Sequence, residues 1–259
     1  MSDPVRPARK KILVTNDDGI DGEGLRALVS SLSSVADVYV LAPDSNRSAV
    51  SSKITMGRKL SYRKLAENVY VCSGTPSDCV IAALTSPLFP FRFDGVFSGI
   101  NSGPNMGTDV VYSGTCAAAR QAVLMGVPGV AVSLESEFLD YARDGFNFGP
   151  LARFCGKNID ELISLCTGDV FVSLNATSAD SYKEALFASG CVRDYGDKVL
   201  IESSGSESCF SGLCVSDGIS VSGNEDSDYN ISRSGKIAVS VIYAEPVLKR
   251  ISAGVVFKF

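Results

Sequence analysis

The stretch KILVTNDDGIDGEG, residues 11–24, decides how the sequence is interpreted. Its first five residues are mostly apolar or β-branched and predict a buried β-strand. Four carboxylates follow within nine residues: Asp17, Asp18, Asp21 and Glu23. Two ionised carboxylates about 4 Å apart repel by roughly 4 kcal/mol at an effective dielectric constant of about 20, so adjacent Asp17 and Asp18 need a cation, protons or water beside them. A divalent metal is therefore the first candidate for what this loop binds.

Apolar runs alternate with helical patterns on both sides of this loop. After 11–15, strands are predicted at 37–43, 69–72, 95–100, 129–134 and 170–174. Helices are predicted around Leu25–Leu32, where apolar residues recur with helical spacing, at about 75–84 with Thr75 as the N-cap, and at about 114–125 and 151–166. Strands that alternate with helices indicate an α/β fold with a mainly parallel sheet.

The last third of the chain has a looser pattern. Residues 203–228 are rich in Ser, Gly and Asp and predict an extended hairpin or arm, whereas 236–244 is strand-like and is expected to rejoin the sheet. No repeat or clear linker divides the chain. We therefore predict one domain over 1–259, with an α/β core at 11–175 and the arm and returning strand at about 176–259.

Composition excludes several classes of function. The 259 residues are 45% apolar and carry a net charge of −5, which gives no support for binding a nucleic-acid polymer. No apolar run is long enough to span a membrane, and the polar N-terminus lacks the apolar core of a secretory signal, so a cytoplasmic protein is expected. The eight cysteines are predicted to be free thiols, with Cys209 and Cys214 considered and rejected as a bridge or metal pair. The absence of His excludes Ser-His-Asp and Cys-His catalysis.

Polar clusters follow several predicted strands, and in an open α/β sheet ligands bind at the carboxyl ends of strands. Asp17, Asp18, Ser48 and Asn101 offer carboxylate, hydroxyl and amide oxygens, the ligands that suit Mg²⁺ or Mn²⁺. The alternatives are a helix-capping pair for the two aspartates and turn residues for Ser48 and Asn101.

A second cluster precedes the helix predicted at 114–125. Ser113, Gly114 and Thr115 lie where free N–H groups and the helix dipole favour phosphate, although a bare helix cap is the alternative. The order G-x-x-G-x-G after the first strand does not match the dinucleotide fingerprint, which argues against a nicotinamide enzyme. A haloacid-dehalogenase-like phosphatase would need its two aspartates separated by one residue.

Five motifs in this order and spacing resemble the SurE survival-protein family, metal-dependent phosphatases of nucleoside 5′- and 3′-monophosphates. They are ILVTNDDGI, VLAPDSNRSAVS, SGTPSDC, SGINSGPNMG and VVYSGTCAAA. The resemblance implies a Rossmann-like three-layer core, a divalent metal at Asp17, Asp18, Ser48 and Asn101, and phosphate contacts from Asn105 and from Ser113 to Thr115. It also implies a homodimer or homotetramer built with an exchanged C-terminal arm. Beyond residue 135 the match weakens.

The residues and the resemblance together predict a 5′/3′-nucleotidase, a phosphoric monoester hydrolase of acid-phosphatase type. A bound Mg²⁺ or Mn²⁺ would stabilise phosphoryl charge, and Asp17 or Asp18 would orient or deprotonate the attacking water. Ser113, Gly114 and Thr115 would hold the transferred phosphoryl group. The alternative is a catalytically weak regulatory module that binds metal and nucleotide.

Overall fold

The computed structural model describes residues 9–136, 145–206, 209–216 and 218–247. Residues 1–8, which begin the segment expected not to be a secretory signal, lie outside these ranges, and so do the side chains of Cys209 and Cys214. Of the described cysteines, six are free thiols, as predicted: Cys72, Cys79, Cys116, Cys155, Cys166 and Cys191. Among the described residues, no helix combines the length and the apolar character that crossing a membrane requires.

A nine-stranded sheet forms the centre of the fold. Along the chain, the strands of the described residues are β1 Lys11–Thr15, β2 Asp37–Pro43, β3 Tyr62–Ala66, β4 Val69–Cys72, β5 Gly95–Ser102, β6 Gly129–Glu135, β7 Val170–Thr177, β8 Ala185–Phe187, β9 Val192–Asp194, β10 Asp197–Ser206, β11 Cys209–Ser216, β12 Ser220–Ser222 and β13 Ile237–Tyr243. The sheet order is β3-β4-β2-β1-β5-β6-β7-β13-β8. Its six strands from β4 to β7 run parallel, and β3 and β13 are antiparallel to their neighbours β4 and β7.

Helices cover both faces of the sheet. They are α1 Glu23–Ser33, α2 Pro76–Thr85, α3 Gly114–Leu124, α4 Phe148–Lys157, α5 Ile159–Leu165 and α6 Asp228–Arg233, with a 3-10 segment at Gly107–Val111. Apolar side chains of α1 and α4 pack in one buried cluster with the sheet, and those of α2 and α3 pack in a second. The result is the predicted three-layer α/β architecture with a mainly parallel sheet.

Two differences from the sequence prediction concern helices α4 and α5 and strand β3. The helix predicted at 151–166 is interrupted at Asn158, whose side-chain Nδ2 donates to the Phe154 carbonyl at 2.8 Å and whose backbone leaves the helical region. Strand β3 was not predicted, because all five of its side chains are exposed and it therefore carries no alternating apolar pattern.

The predicted arm is a hairpin with different bounds. Strands β10 and β11 pair antiparallel as a separate two-stranded sheet, and the hairpin therefore begins at Asp197 and ends at Ser216 rather than spanning 203–228. The region near 228 instead begins helix α6. The predicted returning strand is confirmed as β13, which pairs with β7.

Candidate active site

A cleft of about 280 Å³ opens at the carboxyl ends of β1, β2 and β5. The sheet order places these three strands side by side, which brings together loops that are far apart in sequence. The lining residues are Asp17, Ser48, Ala49, Asn101, Ser102, Pro104, Asn105, Asp109, Tyr112, Ser113 and Tyr195. Five predicted site residues thus line one cleft, while Asp18, Gly114 and Thr115 contact residues that line it.

Asp17 is buried beneath the start of helix α3. Its Oδ2 accepts a hydrogen bond from the Thr115 N–H at 3.1 Å, and its Oδ1 accepts one from the Thr115 hydroxyl at 2.5 Å. Burial raises the pKa of Asp17 to about 6; the neighbouring Asp18 adds to this rise, and the bonds from Thr115 oppose it. The carboxylate is therefore held in one orientation in a place where its negative charge is poorly solvated.

Asp18 is held by the end of β5. The Ser102 N–H and hydroxyl donate to its Oδ2 at 3.0 and 3.1 Å, and its Oδ1 accepts no hydrogen bond from the described residues. Partial burial raises the pKa of Asp18, and the two bonds from Ser102 oppose that rise. One carboxylate oxygen of Asp18 thus stays open to a ligand.

Asn16, which was not among the predicted site residues, shapes the turn that carries both aspartates. Its Nδ2 donates to the Gly19 carbonyl at 2.8 Å, and its Oδ1 accepts from the Gly19 N–H at 3.2 Å. Gly19 has a φ of +102°, a backbone conformation that favours glycine. An Asn three residues before a Gly at the end of a strand is the sequence pattern that could have identified this turn.

Asn101 lies near the end of β5 and Asn105 follows that strand, and the two side chains are held by different partners. The Asn101 Nδ2 donates to the Gly103 carbonyl at 2.9 Å, which leaves its Oδ1 available. Asn105 is clamped by Asn175 at the end of β7: the Asn105 N–H donates to Asn175 Oδ1 at 2.8 Å, and Asn175 Nδ2 donates back to the Asn105 carbonyl at 3.0 Å. Asn175 follows the strand predicted at 170–174 and positions Asn105, a role that was not predicted.

Ser48 lies on the loop after β2, at the exposed rim of the cleft. The preceding residue, Arg47, donates its N–H to the Asp17 carbonyl at 2.6 Å, which ties this loop to the β1 turn. The Ser48 N–H donates to Asn46 Oδ1 at 2.8 Å. The rim is thus anchored through its backbone next to Asp17.

The start of helix α3 forms the wall beside Asp17. The Ser113 hydroxyl caps the helix by accepting from the Cys116 N–H at 3.0 Å. Both donors of Thr115 are engaged by Asp17, so in this structure Thr115 positions the carboxylate, and its contact with phosphate stays a prediction. The N-terminus of an eleven-residue helix thus lies beside Asp17, and its cap residue Ser113 lines the same cleft.

Gly114 has no room for a side chain. A Cβ at this position would lie 2.9 Å from both Cβ and Oδ2 of Asp17. Gly114→Ala is therefore expected to displace Asp17 and to lower the predicted phosphatase activity at least tenfold, since small misplacements of a catalytic group are costly. Gly168→Ala is the matched control, because a Cβ there meets no atom within 4 Å. Full activity of Gly114→Ala would contradict the tight packing against Asp17.

The donor set fits a hard divalent cation. It consists of the two aspartate carboxylates, the open amide oxygen of Asn101 and the hydroxyl of Ser48, which are all oxygen ligands. No group of three or more His, Cys, Asp or Glu side chains comes together within the part of the chain that the structure describes. A site of two carboxylates completed by neutral oxygens and water suits Mg²⁺ or Mn²⁺ rather than zinc.

A buried ion pair that was not predicted from the sequence supports the far side of the cleft. Arg193 Nε lies 3.1 Å from Asp109 Oδ2, and both side chains are less than a tenth exposed. The Tyr195 hydroxyl donates to Asp109 Oδ1 at 2.8 Å. Burial raises the pKa of Asp109, whereas Tyr195 and Arg193 oppose that rise. No sequence signal links these residues, because more than eighty positions separate them.

Comparison with known proteins agrees with this geometry. The family model described as Survival protein SurE matches residues 12–196, which is more than half of the chain. The chain belongs to the SurE family. The resemblance of the five sequence motifs to that family is therefore confirmed. The SurE model ends immediately before β10, so the hairpin lies beyond the matched region.

Individual relatives extend the similarity. The 5′-nucleotidase SurE of Treponema pallidum (strain Nichols) is 44% identical over 183 residues, covering 69% of this chain and 96% of that protein. The 5′-nucleotidase SurE of Geotalea uraniireducens (strain Rf4) is 34% identical over 239 residues, covering 91% and 93%. The crystal structure of the SurE protein from Aquifex aeolicus superposes with a TM-score of 0.78 at 27% identity, covering 92% of this chain and 94% of that one. The fold is thus that of the SurE family.

Proposed function

We propose that this chain is a metal-dependent phosphomonoesterase that hydrolyses nucleoside 5′- and 3′-monophosphates to nucleoside and phosphate. The observation that carries the proposal is the packing of Asp17 against the N-terminus of α3, which puts a poorly solvated carboxylate and a phosphate-type anion site in one cleft. The names of its relatives in Treponema pallidum and Geotalea uraniireducens support the nucleotide as substrate.

Asp17, Asp18, Ser48 and Asn101 would hold Mg²⁺ or Mn²⁺. When bound, such a cation supplies Lewis-acid stabilisation of the charge that develops on a phosphoryl oxygen. Asp17 and Asp18 carry raised pKa values because they are buried, and a cation beside them removes that cost of ionisation.

Side chains and backbone groups of the chain would bind the phosphate and transfer the proton. The Ser113 hydroxyl and the Gly114 N–H at the start of α3 would bind the phosphoryl oxygens, with Asn105 completing the cradle from the opposite loop. Asp18 would orient the attacking water and take its proton, because its Oδ1 is open whereas both oxygens of Asp17 accept from Thr115. Attack of the water oxygen on phosphorus would form the new P–O bond as the ester P–O bond breaks. The nucleoside oxygen would take a proton from solvent water, and Asp18 would return the proton of the attacking water to solvent.

Metal removal tests the reaction directly. Phosphate release from AMP is expected to fall to background after treatment with EDTA, and to return when Mg²⁺ or Mn²⁺ is added in excess, since the chain has no His to act as nucleophile or general acid without a metal. A panel of 5′-AMP, 3′-AMP and ribose 5-phosphate defines the substrate range. Undiminished turnover in the metal-stripped protein would contradict the proposed mechanism. Binding of AMP without phosphate release would favour the regulatory module instead.

The same proposal includes assembly into a homodimer or homotetramer through the β10–β11 hairpin. Leu200 and Leu213 are paired in the hairpin register and are 54% and 66% exposed, which leaves an apolar surface uncovered in the single chain. A cytoplasmic location stays a prediction.

Light scattering tests the assembly. The full-length chain is expected to have the mass of a dimer or tetramer, and the pair Leu200→Asp with Leu213→Asp is expected to shift it to a monomer, because burying unpaired carboxylates in an interface is costly. Val35→Asp, at a 44% exposed position after α1, is the control and should leave the mass unchanged. A monomeric wild-type chain would refute this part of the proposal.

A further inference from the structure

One of the five sequence motifs supplies no side chain to the cleft. Each of the other four motifs contains at least one of the residues that line it. The SGTPSDC segment, residues 73–79, contains none, although all of its residues lie within the described ranges. This segment joins strand β4 to the start of helix α2. It contacts instead the loop after β2 that carries Ser48, residues 44–55, which we call the Ser48 loop.

Arg47 joins the Ser48 loop to the SGTPSDC segment. Its Nε donates to the Gly74 carbonyl at 3.3 Å, and its Nη2 donates to the Ser73 carbonyl at 3.1 Å. The same Nη2 lies 2.8 Å from Asp44 Oδ1, within the loop itself. The Arg47 side chain is only 31% exposed, so water competes in part for these donors. One guanidinium group thus bridges the loops that follow two neighbouring strands.

The backbone of Arg47 holds a third loop. Its N–H donates to the Asp17 carbonyl at 2.6 Å, and the next residue along the chain is Ser48. Side chain and backbone of Arg47 therefore connect the loops after β1, β2 and β4, strands that lie side by side in the order β4-β2-β1. The positions of Asp17 and Ser48 relative to each other depend on this connection.

The other end of the Ser48 loop is fastened to the same segment. The Thr55 N–H and the Thr55 hydroxyl each donate to the Asp78 carboxylate at 2.8 Å. The Thr75 hydroxyl donates to the Lys53 carbonyl at 2.6 Å. Both ends of the loop are thus bonded to the SGTPSDC segment, which supports the loop without entering the cleft.

We propose that Arg47 is a positioning residue for the metal site, which holds the Ser48 loop against Asp17 so that both residues can bind one cation. This inference rests on the proposed function, in which Asp17 and Ser48 are metal ligands. Removing a group that orients metal ligands from outside typically weakens metal binding by about 10- to 100-fold. Lysine cannot replace Arg47, because its ammonium group lacks the planar fork that reaches two carbonyls and a carboxylate.

Mn²⁺ binding to the metal-free protein tests the proposal, measured from the electron paramagnetic resonance signal of the free ion. Arg47→Met is expected to bind Mn²⁺ about 10- to 100-fold more weakly than the wild type does. The sign of the change is decisive, because loss of a nearby positive charge by itself would strengthen the binding of a cation. Arg47→Lys keeps the charge but not the fork, so it should also bind more weakly, and it provides the result if Arg47→Met does not fold.

Two further variants complete the test. Arg63→Met removes an exposed cation of strand β3 and should bind Mn²⁺ as the wild type does. In a Ser48→Ala background, Arg47→Met should weaken binding little further, because the group that Arg47 positions is already absent.

Two results would overturn the inference: additive losses in the double variant, or wild-type Mn²⁺ affinity in an Arg47 variant that unfolds cooperatively on heating. A wild type that binds no Mn²⁺ would instead refute the metal site of the proposed function.

Discussion

Asp17→Asn is expected to lower phosphate release by two or more orders of magnitude while the fold is kept. In the proposed mechanism, the cation would lose a charged ligand and the phosphoryl group would lose its Lewis acid. The structure shows why the fold should survive: the Asn oxygen can still accept from the Thr115 N–H, and the Asn Nδ2 can donate to the Thr115 hydroxyl after that hydroxyl rotates. Asp18→Asn is expected to have a similar effect on activity.

The same variant changes how stability depends on pH in the metal-free protein. Burial raises the pKa of Asp17 to about 6, above its ordinary value of 3.8, so the folded state favours the protonated acid. The resulting stabilisation is fully present below about pH 4 and is lost as the pH rises through about 6, a change of roughly 3 kcal/mol. Asp17→Asn lacks this loss and should therefore be more stable than the wild type at pH 7, in the absence of metal.

Chemical denaturation between pH 4 and pH 8, with EDTA present, measures this difference, and phosphate release with Mg²⁺ measures the activity. Asp21→Asn is the matched control, because Asp21 is an exposed carboxylate of the same loop whose side chain makes no hydrogen bond with any described residue. A helix-capping role for Asp17 predicts the opposite result, a variant that is destabilised by about 1 kcal/mol and remains active. That outcome would remove Asp17 from the proposed mechanism.

Arg193→Gln is expected to lower the free energy of unfolding by about 3 to 5 kcal/mol, because it leaves the buried Asp109 carboxylate without its cation. The Arg193 and Asp109 side chains are only 2% and 8% exposed, so solvent screens this pair little. Burial already raises the pKa of the Asp109 carboxyl, and Arg193 opposes that rise. The pKa of Asp109 should therefore rise further in the Arg193→Gln variant. Activity should also fall, since Tyr195 and the cleft wall depend on Asp109.

A double-mutant cycle isolates the pair. Asp109→Asn combined with Arg193→Gln should recover part of the lost stability, because neither partner then leaves a buried charge unpaired. Lys10→Gln is the matched control: Lys10 pairs with Asp160, but the two side chains are 39% and 69% exposed, so the cost should stay below about 1 kcal/mol. An Arg193→Gln protein as stable as the Lys10→Gln protein would show that the buried pair contributes no net stability.

The core elements are predictable from sequence because their patterns are local. Strands β1, β2 and β4 have the predicted bounds, and α2 begins at Pro76 after the predicted cap Thr75, which accepts from the Asp78 N–H. Buried parallel strands carry continuous apolar runs, and helix caps are set by side chains a few positions away. Strand β3, which was not predicted, has five exposed side chains and no such pattern.

The site residues likewise fall into those that the sequence locates and those that only the tertiary structure brings into contact. The sequence alone placed Asp17, Ser48, Asn101 and Ser113 at strand and helix ends, because adjacent like charges and cap residues are visible in one dimension. The tertiary structure decided that Thr115 holds Asp17, that Asn175 clamps Asn105, and that Asp109 and Arg193 form a buried pair behind Tyr195. These contacts join residues 70 to 98 positions apart, and they arise only when the crossover helices bring the strand ends together. Residue types fix which chemistry is possible, and the sheet order fixes which groups meet to perform it.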